Sequence, residues 1–317
     1  LTFNSITLLL MATPEQLLAR YELSRYTGSL SGNTLLFEVP ERDFVPVFRS
    51  LRRTHGLPLK TIAATDERSE RGQFRIHYVF GIPREGVFLV PSFVVDPALG
   101  SFPSLVSVDR QCAQYEKEIH TFFGLTPVGH PHLERINLHP ENFSEHLYPL
   151  RKDFLWNTRL EAPTAIPPKN YQVYEGEGEY EITVGPLHAG NIEPGHFRFS
   201  VLGEEILRLE PHLGYVHKGT EKLFENVPLE RQIRLAEHIS GDSSFHHALA
   251  FVQALETLAG VVVPERAKFI RVICAELERL ANHFNDLAYI MLDTGLSFGG
   301  SHGTRLRERI LRWNDTL

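Results

Sequence analysis

The residues 237–247, EHISGDSSFHH, place three serines, an aspartate, a glycine and three histidines within eleven positions. Ser240 and Ser243 stand in an S-x-x-S spacing with His247 following. With cysteines at both positions this would be a metal-ligand spacing, C-x-x-C and a histidine. His238, Asp242, His246 and His247 are further ligand types, but Gly241 interrupts the helical pattern, so no two share an ideal helical face. A Ser/His/Asp hydrolase reading lacks the G-x-S-x-G elbow. A second group, GPLHAGNIEPGHFRF (185–199), sets His188, Glu193 and His196 on and beside a tight turn. Such a turn presents side chains and amides to a cavity, or forms an ordinary hairpin with polar tips. A third, YVHKGTEKLFE (215–225), puts His217 and Lys218 just before a helix and Glu221 and Lys222 in its first turn. Capping and solvated charge explain these residues as well as a site does.

The chain that must position these groups has 317 residues, enough for two domains. Its net charge of −7 carries no basic footprint, which argues against a nucleic-acid partner. Cys112 and Cys274 are the only cysteines, which fits a reducing compartment and excludes a cluster held by four thiolates of this chain. The apolar start LTFNSITLLLMA lacks a basic flank and is shorter than the ~18–20 residues that span a bilayer. With Leu1 first and Met11 the first methionine, residues 1–10 are open to being a mis-assigned start.

Thr13 and Pro14 open an amphipathic helix over 13–26. A strand follows at 33–40, a helix at 41–56, then a strand and a β-branched, aromatic hairpin over 74–82 and 86–96. The pattern predicts a helix over 104–124, closed by Gly124. Residues 13–125 therefore form an α+β domain. Residues 126–181, rich in Pro, His and acidic positions, read as an extended arm and linker. From 182 to 317 the chain reads as a small antiparallel sheet and then a long-helix bundle. One helix of that bundle stops at Gly260. The next, from Pro264, spaces Phe269, Ile270, Ile273, Leu277, Leu280, Phe284, Leu287 and Met291 by threes and fours. A final helical pattern starts at Thr304, and the bundle reads as C-terminally incomplete.

In order, these motifs resemble a known family. Residues 115–154 resemble the complex I subunit that carries E-R-E-x-x-D-x-F-G-I, G-H-P-x-x-x-R and P-L-R-K-D-Y. From 185 the chain resembles the next complex I subunit, the quinone-site one, which is homologous to the large subunit of nickel–iron hydrogenases. The matches are G-P-x-H (185–188), G-E (203–204), H-[RK]-G-x-E-K (217–222) and V-P-E-R-A-x-x-I-R-V-x-x-A-E-L-x-R-x-x-N-H (263–283). This order is that of fused chains such as the large subunit of formate hydrogenlyase and related membrane-bound hydrogenases. The turn IEPGHFR is closer to the hydrogenase form than to the complex I form.

The resemblance explains the serines. Hydrogenases read E-R-[IV]-C-G-I-C-S-x-x-H here, and Ser240 and Ser243 fall on the nickel-ligating cysteines. A serine hydroxyl is a hard, neutral donor and cannot replace a soft thiolate. The family's second cysteine pair would lie beyond Leu317. In complex I the vacated cavity is a quinone pocket whose ligands are a tyrosine and a histidine. Gly241 takes the tyrosine's place, and the turn histidine is replaced around Glu193.

The resemblance thus implies a hydrogenase-like, quinone-oxidoreductase-like subunit with no metal site of its own. It would belong to an NADH:quinone oxidoreductase or hydrogenase-like complex, peripheral on the cytoplasmic side of the inner membrane. The expected catalytic residues are Glu193, His188 and His247; Gly241, His246, Ser240 and Ser243 would contact a cofactor, a quinone being the candidate. Iron–sulfur clusters would sit in a small partner subunit, with membrane-embedded subunits reached through the complex. The alternatives are a scaffold with no active site and an intact hydrogenase large subunit; the serine pair argues against the second.

Overall fold

The computed structural model describes residues 13–83, 85–139, 143–160, 176–187 and 194–316. Thr13 caps helix α1 (Pro14–Arg20) reciprocally with Gln16. The helix ends there rather than at 26, because Leu23 N turns back to Leu18 O and Glu22 takes a positive φ. Strands β1 (Gly28–Ser31) and β2 (Thr34–Glu38) form a hairpin. Helix α2 (Glu41–Arg49) runs on into one π-helical turn, Ser50–Thr54. β3 (Leu59–Glu67), β4 (Gln73–Ile82) and β5 (Val87–Val95) complete a five-stranded sheet of order β1-β2-β5-β4-β3. Only the β2–β5 pair is parallel. Alternate residues of β2 and β4 (Leu35, Phe37, Phe74, Ile76, Tyr78, Phe80) are buried with Phe44 and Phe48 of α2. Each such side chain contributes about 1.5–3 kcal/mol on burial.

Helix α3 runs over Cys112–Phe123, eight residues later than the pattern from 104 predicts. Residues 101–103 instead form β6 (Ser101–Pro103), paired in parallel with β7 (Thr126–Val128). Leu105 and Val108 plug the core, and the Asp109 carboxylate accepts from the Gln111 amide at the helix entrance. Gly124 ends α3 with φ 68°; a Cβ there would lie 2.5 Å from the Tyr148 ring. The arm after β7 is thereby pressed onto the domain. Arg151 Nε donates to Phe123 O at 2.7 Å, and its guanidinium lies 4.3 Å from the Tyr148 ring centre.

A three-stranded antiparallel sheet, order β10-β9-β8, follows: β8 (Glu179–Val184), β9 (His196–Leu202) and β10 (Glu205–His212). The chain forms two compact units, Leu1–Gly219 and Thr220–Leu317, so this sheet falls with the first unit.

The second unit is helical: α4 (Thr220–Phe224), α5 (Leu229–Glu237), α6 (Ser244–Ala259), α7 (Glu265–Asp293) and α8 (Ser297–Thr316). α7 is about 44 Å long at 1.5 Å per residue. α8 begins seven residues before Thr304, across Gly299, Gly300 and Gly303. Those glycines lie against Ala288, Met291 and Leu292 of α7. Among the described residues no helix is long and apolar enough to cross a membrane.

Candidate functional site

The serine segment is folded as a corner between α5 and α6. Ser240 is extended, Gly241–Ser243 form one 3₁₀ turn, and α6 starts at Ser244. Ser244 Oγ donates back to Gly241 O at 3.2 Å, which closes the turn locally. The structure brings Ser240, Gly241, Ser243, His246 and His247 together on this corner and the first turn of α6. His188 and Glu193 lie outside the described residues.

Two residues of α7 hold the corner. Ser243 makes no side-chain cap to α6, so the first amides of that helix need another acceptor. Glu278 supplies it: Oε1 accepts from Phe245 N at 2.7 Å and Oε2 from His246 N at 3.1 Å. Oε2 also makes a short contact with His246 Nδ1. One turn further on, Asn282 Nδ2 donates to Asp242 O. The i, i+4 spacing puts both side chains on one face of α7. Sequence reasoning placed Asn282 within the 263–283 motif without a role and left Glu278 at an open position of it. The signal available was a helix start without a capping side chain, which must find its acceptor elsewhere.

A cavity of about 370 Å³ lies in this unit, walled by Gly241, Phe245, Cys274 and Glu278 and, from α8, Arg307 and Asn314. Asn314 Oδ1 is buried without a hydrogen-bond partner among the described residues. Ser240, Ser243, His246 and His247 are not part of its lining.

In the first unit, His196 Nδ1 lies 3.1 Å from Gly185 O, tying β9 to the end of β8. His217 stacks on Phe122 with ring centres 5.0 Å apart, and Tyr215 packs on His139 at 4.4 Å. The H-K-G motif is thus fastened to α3. In the second unit Lys222 is buried and paired with Glu225 at 2.7 Å.

The donor set does not fit a nickel–iron centre. Two neutral hydroxyls occupy the thiolate positions. Among the described residues no group of three or more His, Cys, Asp or Glu is placed to hold a metal ion.

The fold is thus an α+β domain with a P-L-R-K-D arm, followed by a unit built on one very long helix. Residues 37–159 match the family described as the 30 kDa subunit of respiratory-chain NADH dehydrogenase. Formate hydrogenlyase subunit 5 of Escherichia coli (strain K12) is 32% identical over 264 residues, covering 82% of this chain and 46% of that protein. Hydrogenase-4 component G of the same strain is 33% identical over 263 residues, 82% of this chain and 47% of that one. The C/D-type NADH-quinone oxidoreductase chain of Aquifex aeolicus (strain VF5), the second of that type, is 28% identical over 306 residues, covering 87% and 51%. The chain spans about half the length of these curated relatives. A trypsin-resistant fragment of Nqo5 is similar at 19% identity and a TM-score of 0.33, over 38% of this chain and 98% of that one. The chain is a homologue of the fused C/D-type chains and of the hydrogenase large subunits related to them, and its residues 37–159 carry the 30 kDa domain.

Proposed function

We propose that this chain is a hydrogenase-like, quinone-oxidoreductase-like subunit of a membrane-bound redox complex, with no nickel–iron centre of its own. The observation that carries this is the serine pair in the thiolate positions, on a corner bonded by Glu278 and Asn282 of α7. In this reading electron transfer is coupled to proton movement at the corner, with a quinone as the candidate ligand. Iron–sulfur clusters belong to a small partner subunit. The complex's membrane-embedded subunits anchor the chain, peripherally, on the cytoplasmic face of the inner membrane. Residues 13–125 serve as the C-type domain of the fused chains, 126–181 as the arm and 182–317 as the D-type, hydrogenase-like part.

A scaffold role is the second reading. It is favoured by the apolar side chains left exposed on α7, among them Phe269, Ile273, Leu280, Leu287 and Ile290. Purification with neighbouring subunits, elemental analysis and a quinone-dependent electron-transfer assay separate the readings. Turnover without nickel supports the first. Assembly without turnover supports the scaffold. Stoichiometric nickel in washed protein overturns both.

A further inference from the structure

Glu278 and His246 both occupy variable positions of the motifs that carry the family likeness. Glu278 is the open position of A-E-L-x-R, and His246 the second open position of S-x-x-H. The signature therefore does not account for their pairing. Yet the Glu278 side chain is 14% exposed and spends both oxygens on one short segment, while the His246 side chain is 35% exposed. Among the described residues no hydrogen bond reaches His246 Nε2.

We propose that Glu278 and His246 form an acid–base dyad. His246 Nε2 takes and returns a proton for the ligand of this site, and Glu278 is the positioning residue that fixes its tautomer. A carboxylate facing Nδ1 selects the imidazole form with its hydrogen on Nδ1 and leaves the Nε2 lone pair open. The two backbone amides keep the carboxylate from turning away, so the tautomer is set before any ligand arrives. The same carboxylate walls the cavity beside Cys274 and Arg307. The step is a proton transfer alone. The O–H bond of a hydroxyl-bearing carrier, such as a hydroquinone, breaks; its electron pair stays on oxygen; and an N–H bond forms at Nε2. The imidazolium is balanced by Glu278. The identity of the carrier rests on the redox reading above, whereas the tautomer does not.

A purely structural role for Glu278 is to cap α6, so a loss of stability in Glu278→Ala does not discriminate. The tautomer does. The full chain is labelled with ¹⁵N-histidine and its imidazole nitrogens are recorded above about pH 8, where an ordinary histidine of pKa about 6.5 is neutral. His246→Gln assigns the signals. His246 is expected as the Nδ1–H form in the wild type and as the Nε2–H form in Glu278→Ala. If that variant does not fold, Glu278→Asp is expected to give the same change, its carboxylate being one methylene short of Nδ1. An Nε2–H form in the wild type, or a tautomer indifferent to Glu278, overturns the positioning role. In the assembled complex His246→Gln is expected to lower kcat roughly 10²-fold with KM little changed. An unchanged kcat overturns the proton-transfer step. A wild-type complex without turnover overturns the redox reading and that step together, and the spectra then decide Glu278 by themselves.

Discussion

The hydroxyl of Ser104 donates to the carboxyl of Glu116 at 2.6 Å, and the amide of Leu105 donates to the other oxygen of the same group at 2.7 Å. Glu116 is fully buried on α3, and this contact holds the 104–111 segment against the core as an irregular strap. Burial pushes its pKa up to about 7, with the bonds from Ser104 and Leu105 opposing.

The folded state therefore holds a proton on Glu116 over a range where the unfolded chain, near 4.5, has lost it. That contribution is fully present below pH 4.5 and is lost as pH rises through about 7. It is on the order of 3 kcal/mol. In Glu116→Gln the contribution no longer titrates. Urea midpoints of wild type minus variant are expected to fall from about pH 4.5 to about 8. A difference that rises over that range refutes the assignment.

Asp66 is the opposite case. Burial alone would raise its pKa, but Arg68 (Nε at 2.9 Å, Nη2 at 2.8 Å) and the Lys152 amide at 2.8 Å outweigh it and hold the carboxyl at about 2. The stabilisation is present above about 3.8 and is lost as pH falls through about 2. Asp66→Asn is expected to cost about 2 kcal/mol near neutrality. It should also speed hydrogen exchange at the Lys152 amide, because the same oxygen fastens the P-L-R-K-D arm. Unchanged exchange there would show that the arm is held by its other bonds, among them Arg151 Nε to Phe123 O and Arg68 to Asp153.

A Cβ on Gly300 would lie 2.4 Å from Leu292 Cγ and 3.0 Å from Ala288 O. Gly300→Ala is expected to destabilise the helical unit by about 1–3 kcal/mol through overpacking, against a helix-propensity gain of about 1 kcal/mol. Thermal melts read the sign. A stabilised variant would mean that α7 and α8 give way at that point.

The same glycines explain what the sequence hid. The β-branched hairpin was legible because local pattern and tertiary burial agree there; α7 was legible from a three–four spacing sustained over its whole length, although Phe269, Ile273, Leu280 and Leu287 of that stripe stay exposed. The start of α8 was not, since S-F-G-G-S-H-G has poor intrinsic propensity and is helical because small residues let two helices touch. The late start of α3 was hidden for a related reason. Residues 104–111 carry a helical apolar spacing, but Glu116, within the helix, takes their backbone and hydroxyl donors. At the corner, the serines, glycine and histidines were legible as chemistry by their spacing. Glu278 was not, because its partners lie 32 and 33 residues away and no local pattern announces them.

Glu193 carries the last expectation, which rests on motif alone, because the residue lies outside the described ones. It matches the hydrogenase glutamate that passes protons from the metal centre, within I-E-P-G-H-F-R. A carboxyl suits that task because it can take up and release a proton without rearranging its surroundings. Without the metal, the same group could exchange protons with a bound quinone. The competing role is turn-making with Pro194 and Gly195. Glu193→Gln separates the two, since the amide keeps the shape and removes the titrating proton. A relay predicts that the assembled complex forms normally and that kcat falls by roughly 10²-fold or more. A turn-maker predicts normal assembly and unchanged turnover, and that result would end the relay reading.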